Sequence, residues 1–204
     1  EEFEFIELKN ISSNQTLNLT GVRFINGVEF DFTGSAATSL APGQTTLLVR
    51  NTTAFTSRYG AGFSIAGQYI SALENGGERI QLVDATGEEI HDFSFDNKWH
   101  PLTDGFGFSL VVFDEQAEPD AWGSAAQWHP SGALGGSPAG GDPAAPAIPM
   151  VVINEALANT FLPRSVDSIE LANLASTPAD ISGWFLTDDF NSPKKFRIPT
   201  NTVI

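Results

Sequence analysis

One pattern occurs twice in this chain and limits what it can fold into. Glu4-Phe5-Ile6-Glu7-Leu8-Lys9-Asn10 is followed, after eight more residues, by Leu19-Thr20-Gly21. Asp167-Ser168-Ile169-Glu170-Leu171-Ala172-Asn173 is followed, after seven more, by Ile181-Ser182-Gly183-Trp184. In both places a short alternating run ends at Asn, and a hydrophobe–hydroxyl–Gly turn comes next. A recurrence at this distance points to two copies of one fold unit rather than one large domain.

The intervening sequence has the same rhythm. Apolar or alternating runs at Phe3–Leu8, Val22–Ile25, Val28–Phe32, Thr45–Arg50, Arg79–Asp84, Glu89–Phe95 and Phe106–Asp114 are separated by Gly, Pro and Asn. Such spacing predicts an all-β antiparallel sandwich. Asn26-Gly27 reads as a two-residue hairpin, because both residues tolerate positive φ. Ala85-Thr86-Gly87-Glu88 reads as a second hairpin. One segment differs. Asn51 or Thr52 is placed to cap a short helix ending at Gly60, with Phe55 and Tyr59 on one face. The expected core is Phe5 or Ile6, Leu8, Leu19, Phe24, Phe32, Leu47, Val49, Ile80, Leu82, Phe93 and Leu110. From Gly132 the chain becomes rich in Gly, Ala and Pro, a composition that buries too little surface to offset its chain entropy. We therefore expect a first unit over 1–138, a linker over 139–149 and a partial second unit over 150–204.

Composition narrows the function. The chain carries 25 acidic and 10 basic residues, a net charge of −15. Residues 1–148 hold 19 of the acids and 6 of the bases. A field of this sign repels phosphate backbones, which argues against nucleic-acid binding. No apolar run is long enough for a membrane helix. With no cysteine, disulfides, thiolate metal sites and cysteine nucleophiles are excluded. No signal-peptide pattern opens the sequence, and Glu1-Glu2-Phe3-Glu4-Phe5 already reads as a strand. We therefore expect the chain to be part of a longer polypeptide.

The motifs, taken together, resemble the lamin-tail domain as it occurs in bacterial exported proteins. The resemblance is carried by Val152-Ile153-Asn154-Glu155, the two Ile-Glu-Leu-x-Asn strands, Ile181-Ser182-Gly183-Trp184, Leu40-Ala41-Pro42-Gly43 and Glu74-Asn75-Gly76-Gly77-Glu78-Arg79-Ile80. Trp99, Asp104-Gly105-Phe106-Gly107-Phe108-Ser109-Leu110, Trp122 and Gly136-Ser137-Pro138 complete it. It covers the first 138 residues and most of 150–204. It implies an immunoglobulin-like β-sandwich with one short helix, present as one near-complete copy and the N-terminal part of a second. It also implies a secreted or cell-surface bacterial protein. Two departures stand out. The first copy lacks the Asn-Glu opening strand, and position 22 is Val where the second copy has Trp184. We expect Val151–Ala156, or another strand of the partial copy, to pack on the first sheet or on a neighbouring chain by strand exchange.

The polar residues admit two readings each. Glu7 and Glu170 are candidate acids or metal ligands, but nothing catalytic accompanies them. The preferred reading is structural: carboxylates that fix the turns near Asn10 and Asn173. Gly21, Gly183 and Trp184 belong to the same structural motif. His91, His100 and His129 lack the tight acidic spacing of a zinc or hydrolase site. No nucleophile elbow, phosphate loop or dinucleotide motif is present. Asp188, Asp189 and Asn191 crowd one loop and are weak candidates for calcium, without the spacing of a calcium loop. Trp128 is the one tryptophan without a counterpart in the resemblance, so it is the expected exposed ring and possible ligand surface.

The expected function is therefore non-catalytic, a binding or spacer module with no cofactor. Its expected partners are other domains of the same polypeptide, extracellular proteins or glycans. The rival reading is a carbohydrate-binding module attached to a secreted hydrolase, resting on Trp128, Trp122 and the acidic loops.

Overall fold

The structure, a computed structural model, describes residues 2–143, 149–158, 167–189, 192 and 194–204. The chain divides into two compact units, Glu1–Ala145 and Pro146–Ile204.

The first unit contains β1 (Phe5–Lys9), β2 (Leu17–Asn18), β3 (Arg23–Asn26), β4 (Phe30–Asp31), β5 (Ser39–Leu40), β6 (Thr45–Val49), α1 (Thr52–Tyr59), β7 (Ile65–Gln68), β8 (Arg79–Val83), β9 (Glu89–Ser94), β10 (Leu110–Val112) and β11 (Trp128–Pro130). One sheet has the order β1-β6-β7 and the other β4-β3-β8-β9. β2 pairs with β5, and β10 with β11. Phe24, Phe32, Ile80 and Leu82 meet Leu48 and Ala66 in the core of the sandwich. The fold is all-β, immunoglobulin-like, with one α-helix.

β6 explains how the helix is attached. Side chains alternate along a strand, so Leu48 joins the sandwich core while Leu47 and Val49 point the other way, into a cluster with Phe55. Its run Leu47-Leu48-Val49 is apolar throughout because both faces are covered. The helix starts where Asn51 accepts a hydrogen bond from the Ala54 amide at 3.0 Å, a capping interaction. It ends at Gly60, whose φ is 87°. Phe55 and Tyr59 share one face, with ring centroids 4.6 Å apart, and Phe5 of β1 meets both edge-on. The Tyr59 hydroxyl donates to the Gly135 carbonyl at 2.6 Å.

Three local expectations need correction. Asn26-Gly27 is not a two-residue hairpin loop: the last paired residues are Phe24 and Phe30, and Asn26 pairs with Gln81 of β8 instead. The run Phe106–Asp114 forms a strand only at Leu110–Val112. β7 pairs with β6 in parallel, the one departure from an antiparallel plan. Of the expected core, Phe5, Ile6, Leu8, Phe93 and Leu110 are half-buried, and the others are buried. The Gly-rich stretch is held further along than the expected boundary at 138. Asp142 accepts from the Gly132 amide at 3.1 Å and from the Ser137 hydroxyl at 2.6 Å.

The second unit contains β12 (Val151–Leu157), β13 (Ser168–Asn173), β14 (Phe185–Leu186) and β15 (Phe196–Arg197). β12 pairs antiparallel with β13, with an irregularity at Asn154 between Ile153 and Glu155. β14 pairs with β15. Ala179, Ile181 and Ile198 are buried. The Val151–Ala156 strand, expected on the first sheet or on a neighbouring chain, thus has its partner inside its own unit.

One device recurs at the turns of both units. The side-chain oxygen of an Asp or Asn accepts the amide two residues on, the geometry that makes these residues turn formers. It occurs at Asp31–Thr33, Asp84–Thr86, Asp96–Lys98, Asp114–Gln116 and Asp180–Ser182. The carboxyl of Asp84 is held below its ordinary range, chiefly by the Thr86 hydroxyl and then by the Glu88, Thr86 and Gly87 amides. A carboxylate with a depressed folded-state pKa adds stability above its unfolded value, near 3.8, and loses it as pH falls through the folded value. Asp84→Asn is therefore expected to keep the turn, by keeping an acceptor oxygen, while flattening the acid limb of the stability profile below about pH 4. Asp84→Ala is expected to lose both. Urea denaturation from pH 2 to 7 checks this.

Candidate functional site

The residues singled out by the repeat are assembled as two clamps of similar design. Asn10 is fully buried. Its amide nitrogen donates to the carbonyls of Gln15 at 2.7 Å and Leu40 at 2.8 Å, and its oxygen accepts the Ser12 amide at 3.0 Å. Asn173 donates to Thr177 at 2.8 Å and Ile204 at 3.0 Å, and accepts the Ala175 amide at 2.9 Å. The similarity continues along both chains. Leu19 donates to Thr38, and Ile181 to Thr202; Val22 donates to Leu19, and Trp184 to Ile181. Arg23 and Phe24 pair with Asp31 and Phe30, as Phe185 and Leu186 pair with Arg197 and Phe196. Gly21 and Gly183 hold φ of 84° and 78°. A side chain at Gly21 would also meet the Ala85 Cβ at 2.7 Å, so that turn requires Gly twice over.

Glu7 and Glu170 do not touch the Asn turns they were expected to fix. Glu7 accepts the Ala139 amide, and Glu170 accepts the side-chain amide of Asn154. Burial pushes the Glu7 carboxyl above the usual range, against the Ala139 amide and Lys9, which lower it. Both carboxylates hold neighbouring chain in place, and each has its own partner.

The histidines are held apart from one another. A carbonyl only accepts, so the His100 Nε2 that lies 3.2 Å from the Ala125 oxygen carries its proton, as does the His129 Nδ1 at 2.8 Å from the Pro130 oxygen. Asp142 stands 3.9 Å from that His129 nitrogen, with its oxygens already taken by Gly132 and Ser137. His91 stacks on Trp122 at 4.5 Å and 18°. Its Nδ1 and the Trp122 Nε1 are buried without a partner among the described residues. Burial pulls the His91 pKa below its ordinary value.

Trp128 does not stand apart as the exposed ring. All four tryptophans are half-buried. The Trp128 ring lies 5.3 Å from Phe93 and 5.8 Å from Trp122, and its indole N–H donates to the Trp122 carbonyl at 2.8 Å. Asp188 is ion-paired with Lys195 at 2.6 Å, and Asp189 lies 4.0 Å from the same ammonium. Asn191 lies outside the described residues. Among the described residues, no three acidic or imidazole side chains gather as a metal site would require. Nor does any helix reach the length and apolarity needed to cross a membrane.

Two polar residues had no signal in the sequence. Ser131 is fully buried, accepts the Ser109 amide at 3.0 Å and donates to Ala133 at 2.9 Å. Asp142 was hidden by the linker-like composition around it.

The buried Asn at the end of β1, the sandwich and the single capped helix together place the first unit. The family model described as Lamin Tail Domain matches residues 1–97. Residues 1–97 form a lamin tail domain. The match is narrower than the motif resemblance, and β10, β11 and the Trp122–Trp128 pair lie beyond it. No curated protein and no solved structure matches the chain.

Removing the first clamp leaves buried carbonyls of the lamin tail domain without donors. Asn10→Ala is expected to cost about 2–4 kcal/mol, and Asn173→Ala about 1 kcal/mol because its clamp is half-exposed. Native-state amide exchange at Leu48 and at Ile181 reads the two losses separately. His91 gives a second test. A histidine kept neutral by burial takes up its proton in the unfolded chain first, so stability falls as pH drops below about 6.5 towards the folded value. His91→Phe is expected to remove that slope while leaving the stability at pH 8 nearly unchanged, read by thermal unfolding across pH 5 to 8.

Proposed function

We propose that the chain is a non-catalytic binding or spacer module of a secreted or cell-surface bacterial multidomain protein, built from a lamin tail domain and part of a second copy. The observation that carries this reading is the repeated clamp. The polar residues shared by the two units, Asn10 with Asn173 and Gly21 with Gly183, shape backbone turns, and the two glutamates hold neighbouring chain. A site selected for chemistry keeps polar groups aimed at a substrate, whereas these are committed to the fold. The acidic surface fits exposure to an ionic medium, and the Pro- and Ala-rich stretch before β12 fits a spacer. The second copy is supported by the matching hydrogen bonds of its turns and its β14–β15 hairpin.

The glycan-binding reading has less support. Trp122 and Trp128 pack on each other and on Phe93, whereas a sugar platform needs a free ring face.

The test is deletion of this chain from the full-length parent protein. Turnover by any neighbouring catalytic domain is expected to stay within about twofold, well under the roughly tenfold change that 1.4 kcal/mol of barrier would give. Retention on the cell-envelope fraction is expected to fall. A chain that hydrolyses chromogenic esters or glycosides by itself, with loss on His129→Ala, overturns the reading.

A further inference from the structure

We propose that the outer edge of β1 is a docking site for an extended peptide segment with the pattern of β12. This rests on reading the chain as a binding module, and it names the kind of partner bound. In an antiparallel pair the backbone groups of alternate residues face the partner. The Asn10 amide donates to Gln44, and the Arg50 amide to Glu4, both at 2.9 Å. Glu4, Ile6, Leu8 and Asn10 therefore face β6, while Phe5, Glu7 and Lys9 direct their N–H and C=O groups to the opposite side. β1 is the terminal strand of its sheet, and among the described residues no strand pairs there. An edge of this kind is a template for strand addition.

The second unit shows how that edge is filled. Asn173 corresponds to Asn10 through its clamp, so Ala172, Glu170 and Ser168 correspond to Lys9, Glu7 and Phe5. The Leu174 amide donates to Met150 at 2.8 Å. By the same alternation Ala172, Glu170 and Ser168 face β12, opposite Val152, Glu155 and Leu157. The edge that is open on β1 is thus the edge that β13 uses. Carried over, this register sets Ile153 beside Leu8 and Ala156 beside Ile6. Both β1 residues are half-buried at the margin of the sandwich core, so an added strand would cover them. The irregularity at Asn154 lets its amide reach the Glu170 carboxylate. Glu7 presents the same group, with one oxygen on Ala139 and the other for the incoming Asn. Lys9, paired with Glu115 at 2.6 Å, leaves that rim without an unpaired base.

The occupant is a separate segment and not the β12 of a second copy. A second copy would have to strip its own β13 to donate that strand, which exchanges one pairing for an equal one.

The experiment titrates a synthetic Met150–Ala158 peptide into the full chain, labelled for amide NMR. Saturable shifts and slowed hydrogen exchange are expected at Phe5, Glu7 and Lys9. Methylating the peptide amides of Val152, Glu155 and Leu157, which face the template, is expected to weaken binding by about tenfold or more, since each lost hydrogen bond contributes roughly 1 kcal/mol. Methylation at Ile153 and Ala156 is expected to leave it within about threefold. The proposal is overturned by shifts confined to β13, where the peptide merely replaces β12. Equal binding of both methylated peptides, or no binding at all, also overturns it. Loss of envelope retention on deletion, with no peptide binding, would sink this proposal and leave the module reading standing.

Discussion

The first unit depends on a single buried amide. Asn10 satisfies three backbone groups at once, on Ser12, Gln15 and Leu40, at a point where water is excluded. Its own backbone adds two more bonds, donating to Gln44 and accepting from Gly43 at 2.8 Å. Together these pin the end of β1 against the start of β6. Strand register has a period of two, so a slip by one residue would exchange the faces of every side chain. With Asn10 fixed, Ile6 and Leu8 face the sandwich and Phe5 faces the helix cluster. The seating of α1 against Phe5, Leu47 and Val49 follows from that register. Loss of the clamp would therefore be felt on both faces of the sheet, far from the amide itself.

The acidic composition looks at first like a solubility feature. The structure gives much of it a second role. Asp31, Asp84, Asp96, Asp114 and Asp180 each close a turn by accepting the amide two residues ahead. For Asp31, Asp84 and Asp180 these bonds hold the carboxyl below its ordinary range, through the Thr33 amide, the Thr86 hydroxyl and the Ser182 hydroxyl respectively. A protein of many short strands needs many turns, and each turn leaves an amide to satisfy. Asp supplies the acceptor on the spot, so part of the charge excess is a by-product of how the loops are built.

What could be read in the sequence was local. The helix was legible from Asn51, the Phe55–Tyr59 spacing and Gly60, because caps and i,i+4 neighbours lie within one stretch of chain. The importance of Asn10 was legible because Asn173 repeats it. The glutamates were misplaced because their partners, Ala139 and Asn154, lie across gaps in sequence that no local rule spans. The parallel pairing of β6 with β7 was invisible for the same reason, since a crossover through a helix leaves no turn signature. Asn26-Gly27 misled because a tertiary pairing, Asn26 with Gln81, outcompeted the tight hairpin the dipeptide favours. Trp128 misled because a missing family counterpart says nothing about packing. Here the neighbours Phe93 and Trp122 take up its ring.

The same accounting bears on function. A polar side chain can act on a foreign molecule only if folding has not already engaged it. Glu7, Glu170, Asn10, Asn173, His100, His129 and Asp142 are all bound to protein groups. His91 and Trp122 keep unpartnered nitrogens, yet those atoms are buried and their rings face each other. Side chains arranged this way offer shape and little reactivity. The backbone is different, because a sandwich is a finite sheet and its outermost strands retain unpaired N–H and C=O groups. In such a fold, recognition is carried by strand edges, and its specificity comes from which side chains flank the exposed amides. On β1 those side chains are Phe5, Glu7 and Lys9.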